Sequence, residues 1–70
     1  MPDIVQSIIF DKKKFTTTTA RNWLRKHGYR YGKVDEEINT LRFRQIPPNK
    51  KYKYRMKQIA PGIKFDLVFT

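Results

Sequence analysis

The side chains that most often do chemistry are scarce in this chain. There is one histidine, His27, and no cysteine. A serine nucleophile would need Ser7 beside His27 in a pocket, and 70 residues give little material to build one. Asp35, Glu36 and Glu37 could in principle hold Mg²⁺, but adjacent residues on a turn rarely converge on one ion. A zinc site of the Cys/His kind has no ligand set. The sequence therefore predicts a protein that is not an enzyme, with no metal, no cofactor and no small-molecule substrate.

Positive charge is what the chain has in abundance. Sixteen Lys and Arg face six Asp and Glu, a net charge of +10. Such an excess raises the local concentration of polyanions and speeds their capture. The charge is also unevenly placed. Between Ile38 and Phe65 there is no acidic residue, while Arg42, Arg44, Lys50, Lys51, Lys53, Arg55, Lys57 and Lys64 are basic.

The elements that would position these cations can be read from periodicity. Residues 4–10 are β-branched and of strand length. Ile4, Ile8 and Phe10 should share one face, and Val5, Ser7 and Ile9 the other. A helix is predicted over 17–27. Thr16 suits its N-cap, Phe15 sits where an apolar residue folds back on the first turn, and Gly28 suits a left-handed stop. Ala20, Trp23, Leu24 and His27 fall on one stripe of it. Residues 29–37 read as a connection. Residues 38–46 alternate as a half-buried strand, broken by Pro47-Pro48-Asn49. Residues 51–57 alternate most cleanly, with Tyr52, Tyr54 and Met56 on one face. Ala60-Pro61-Gly62 is a turn, and residues 63–69 form a last strand with Ile63, Phe65, Leu67 and Phe69 facing the core.

The order is β-α-β-β-β. The length allows one small basic domain over residues 1–70, burying only roughly 60% of the surface its unfolded form exposes. The expected fold class is α+β, a single helix packed on one face of a small, mostly antiparallel sheet. Short breaks between the three C-terminal strands predict a meander. Trp23 and Leu24 should then pack on Leu41, Phe43, Tyr52, Tyr54, Phe65 and Leu67. The place of the first strand is left open.

If the helix covers one face, the period of two assigns the other. Arg42, Arg44, Lys51, Lys53, Arg55, Lys57 and Lys64 should share that open face. Like charges on adjacent strands repel, and a polyanion would remove the repulsion. The expectation is a nucleic-acid-binding protein that holds phosphates of DNA or RNA largely without sequence preference. Lys12, Lys13 and Lys14, and Arg21, Arg25 and Lys26, are lesser basic groups. Tyr29 and Tyr31 are free to stack on bases, whereas Tyr52 and Tyr54 belong to the core in this register.

The run Phe10-Asp11-Lys12-Lys13-Lys14-Phe15-Thr16, with Ala20, Trp23-Leu24, His27-Gly28, Lys33-Val34-Asp35-Glu36, Leu41-Arg42-Phe43-Arg44-Gln45 and Gly62-Ile63-Lys64, resembles a small uncharacterised module of predicted proteins from tailed phages and large DNA viruses. The resemblance covers nearly the whole chain. It implies a viral or phage origin, and carries no ligand-binding residues with it. The family's last strand contains a glycine that Asp66-Leu67-Val68-Phe69 lacks.

A second class of function is a protein-interaction or structural module, such as a minor virion or assembly part. It would bind an acidic partner or form a homo-oligomer through an exposed strand, 4–10 or 63–69. Membrane binding is not expected, since no amphipathic anchoring helix accompanies the lysines. The start Met1-Pro2-Asp3 has neither the basic region nor the apolar stretch of a secretory signal. An intracellular site is expected: host cytoplasm, or the virion.

Overall fold

The computed structural model describes residues 4–69; Met1, Pro2 and Asp3, on which the signal-sequence reading rests, and Thr70 lie outside the described residues. The elements are β1 (Ile4–Asp11), α1 (Thr17–Lys26), β2 (Asp35–Glu36), β3 (Thr40–Arg44), β4 (Lys53–Ala60) and β5 (Ile63–Phe69). One five-stranded sheet runs in the order β2-β3-β1-β5-β4, and every pairing is antiparallel. The α+β class and the single helix on one sheet face agree with the sequence reading.

β1 takes the centre of the sheet for a plain reason. It buries side chains on both faces: Ile8 and Phe10 fully on one, and on the other Ser7 fully and Ile9 at 6% exposed. A strand buried on both faces belongs in the interior of a sheet, between two neighbours. β3 therefore pairs with β1, not with β4, and the predicted meander is limited to the β4–β5 hairpin. The run 45–52 crosses an end of the sheet instead of making a tight turn. It is tied down by Gln6, whose carbonyl accepts from the Gln45 and Ile46 N–H groups and whose Nε2 donates to the Ile46 carbonyl. Gln6 lies at a register shift in β1, between Val5 and Ser7. The shift reverses parity, so Val5 joins Ile8 and Phe10 on the core side while Ile4 stays 55% exposed. The period of two cannot foresee such a bulge.

The core forms between α1 and the middle strands. Ala20 and Leu24 meet Ile8, Phe10, Leu41, Phe43 and Ile63. At the start of α1, Thr16 accepts from the Thr19 N–H, and the Thr19 hydroxyl accepts from the Thr16 N–H. This capping box lets a threonine-rich start hold, although β-branched residues favour helix weakly. Phe15 folds back on Phe10, with ring centroids 5.0 Å apart. His27 is the C-cap, and Gly28 follows with φ 80°. The tight corner between β4 and β5 needs Gly62: its φ is 79°, and a Cβ there would lie 2.9 Å from Lys14 Cδ.

Ten helical residues carry a narrow apolar stripe, and it reaches β3, β1 and β5. β4 lies beyond it and is exposed along nearly its whole length. Tyr52 and Tyr54 are accordingly not in the core, contrary to the sequence expectation. Residues 38 and 39 also leave the predicted strand, with Ile38 91% exposed.

Leu24→Ala should cost about 2–5 kcal/mol, because Leu24 is fully buried and the cavity cannot fill. Met56→Ala, at a position 54% exposed, should change stability by about 0.5 kcal/mol or less. Urea unfolding followed by circular dichroism would measure both.

Candidate nucleic-acid interface

The cross-strand register decides which cations share a surface. Residues directly opposite one another in an antiparallel pair project to the same face. Lys57 is opposite Phe65, Arg55 opposite Leu67, and Lys53 opposite Phe69. Phe65 packs against Trp23 of the helix, so these three cations lie on the helix side of the sheet. Arg42 is opposite Ile9, Arg44 opposite Ser7, and Lys64 opposite both Ile9 and Gln58, all on the other face. Lys51 precedes β4 in a turn, its N–H bonded to the Asn49 side chain. The single open face of seven cations is therefore not formed; Lys53, Arg55 and Lys57 belong to the opposite surface.

The reversal has a physical cause. The apolar alternates of β4 needed an apolar neighbour, and they found it away from the helix. Tyr54 lies opposite Val68, itself opposite Ile4, which makes an apolar row across three strands. The Tyr54 hydroxyl closes this arrangement: it donates to the Asn49 carbonyl and accepts from the Asn49 N–H. A shift of one residue in register exchanges the faces of a strand. The alternation of residues 51–57 was legible, but which half faced the helix was not.

Of the cations on the face opposite the helix, Arg42 and Arg44 are already engaged, while Lys64 takes part in no ion pair among the described residues. Arg42 Nη1 lies 3.2 Å from Asp66 Oδ2 and 3.2 Å from Ser7 Oγ, and its Nε is 3.6 Å from Glu37. Arg44 Nε is 3.0 Å from Asp35. Lys12 meets Glu36 at 2.9 Å. The acidic triplet thus spreads over three separate cations instead of converging. Among the described residues, no group of three or more His, Asp and Glu could hold a metal ion. Ser7 and His27 are kept apart by the sheet, since Ser7 faces away from the helix that carries His27.

The β4 side differs. Among the described residues, Lys50, Lys51, Lys53 and Lys57 take part in no ion pair. Beside the cations runs a row of rings that the sequence reading did not assemble. Trp23 stacks on the exposed His27 at 4.0 Å, and His27 Nδ1 lies 2.8 Å from the Trp23 carbonyl. Tyr29 and Phe65 follow, 5.7 Å apart. Phe69 lies further along β5, on the same face beyond Leu67, with the Arg55 guanidinium 5.7 Å over its ring. Tyr29 is thus packed into this row, while Tyr31 is 43% exposed. Arg21, on the helix flank, is held by the carbonyls of Tyr31 and Gly32.

No known family model, curated protein or solved structure matches the chain. Among the described residues, no helix is long and apolar enough to cross a membrane.

Arg42→Met should lower stability by about 1–3 kcal/mol, because it leaves the Asp66 carboxylate buried without its cation. Arg44→Met, whose partners are more exposed, should cost under about 1 kcal/mol. Thermal denaturation of the two variants would separate the structural cation from the peripheral one.

Proposed function

We propose that this chain is a non-enzymatic nucleic-acid-binding protein whose contacts are mainly to phosphates and largely independent of sequence. Lys51, Lys53, Arg55 and Lys57 form the centre of the contact surface. Lys64 adds to the field from the other face, and Arg42 and Arg44 contribute chiefly through the net charge. The observation that carries this reading is the segregation of charge. The carboxylates Asp35, Glu36, Glu37 and Asp66 are spent on Lys12, Arg42 and Arg44, whereas Lys51, Lys53 and Lys57 take part in no ion pair among the described residues. Cations spaced along one strand raise the local positive potential, which attracts phosphates. The resemblance to the phage and viral module supports a viral origin, and with it a site in the host cell or virion.

The test is fluorescence anisotropy of labelled DNA and RNA, titrated at several salt concentrations. Micromolar or tighter binding at low salt is expected. The logarithm of the affinity should fall with that of salt at a slope corresponding to about three to five displaced counterions. Lys53→Glu with Lys57→Glu should weaken binding by about tenfold or more, while Arg44→Met should change it little. Absence of binding at low salt would overturn the proposal.

A second reading rests on a different observation. β4 is an edge strand of eight residues with an unpaired outer side. Edges of this kind accept an added strand from a partner or a second copy. The edge available is β4; the strands 4–10 and 63–69 expected for this role are both interior. A symmetric antiparallel pairing of two β4 strands would bring their cations together, which disfavours self-association. Sedimentation equilibrium should therefore give a monomer at low salt, and a stable dimer would favour this second reading.

A further inference from the structure

The face that carries Lys53, Arg55 and Lys57 is not a plain basic surface. Each of these cations stands beside an apolar side chain of β5: Lys57 by Phe65, Arg55 by Leu67, Lys53 by Phe69. Phe69 is 36% exposed, and Phe65 and Trp23 are half-buried at the foot of the helix. Two parallel rows result, one of cations along the edge and one of apolar and aromatic groups just inside it. Successive cations are spaced by two strand residues, about 6.6–6.8 Å.

We infer that the ligand of this surface is single-stranded nucleic acid, with the backbone along the β4 cations and bases against the ring row that includes Phe69 and Phe65. This rests on the nucleic-acid reading above and narrows it. A duplex offers phosphates but keeps its base faces stacked inside, so the inner row would gain nothing from it. A single strand has the same two-sided character as the surface: charge along one side and π-faces along the other. α1 stands on this face as a ridge beside the rings. A flexible strand can follow the resulting step, whereas duplex DNA has a persistence length of about 50 nm and does not bend into it without cost. The helix itself is not presented as a reading head, since Arg21 is bonded to the loop at Tyr31 and Gly32.

The chain contains a single tryptophan, Trp23, and it lies in the ring row. This gives a local signal independent of affinity. Labelled oligothymidine, oligouridine and a DNA duplex of equal length would be titrated at one salt concentration, with anisotropy and Trp23 emission recorded together. The expected result is binding of the single strands at least about tenfold tighter than the duplex, with a change in Trp23 emission that saturates at the same point. Phe69→Leu keeps an apolar side chain but removes the ring. It should weaken single-strand binding about tenfold, leave duplex binding unchanged, and retain the circular dichroism spectrum of the parent. Equal or tighter duplex binding, or an unchanged Trp23 signal with bound single strand, would overturn the inference while leaving the phosphate-binding proposal standing. No binding of any of the three would overturn both.

Discussion

The structure depends on the double-sided burial of β1. Ile8 and Phe10 face the helix, Ile9 faces away, and all three are removed from solvent. β5 shares this character only in part, with Leu67 and Val68 buried on its two faces but Lys64 and Phe69 exposed, and β1 lies between β3 and β5. The proposed contact surface is a consequence. With the centre taken, the alternating strand of residues 53–60 has no place but the edge, where its cations cost least. With β3 on the far side, Arg42 and Arg44 come within reach of the acidic run at β2 and of Asp66. The distribution of paired and available cations follows from where a hydrophobic strand must go.

The same constraint explains how much could be read from the sequence. The helix, its cap at Thr16 and its stop at Gly28 are local features, set by side chains within a few residues of one another, and they were legible. So were the β4–β5 hairpin and the strand character of residues 63–69. Three things were not. The bulge at Gln6 depends on a crossing segment forty residues away. The two-residue strand β2 is too short to leave a period. The face of β4 depends on whether Tyr54 finds its apolar neighbour under the helix or beside Val68, which is a question of tertiary register and not of alternation.

That last point reshapes the proposed contact surface. Of the seven cations expected on one face, six are divided between two and Lys51 lies in a turn, and Arg42 is bound to a buried carboxylate. In exchange, the register brings Lys53, Arg55 and Lys57 alongside Phe69, Leu67 and Phe65. No spacing in the sequence announces this pairing, because the partners are joined across a hairpin and the rings of Trp23 and Tyr29 arrive from another element. Half-buried and exposed aromatics beside lysines in no ion pair among the described residues are what the proposed binding strip rests on.

The most direct measurement of the central claim is a titration of isotope-labelled protein with single-stranded DNA, followed by amide chemical shifts at low and high salt. The account predicts saturable shifts concentrated in β4, the neighbouring residues of β5 and the end of α1 around His27, reversed as salt is raised. Shifts confined to β2 and β3, or no shifts at low salt, would contradict it.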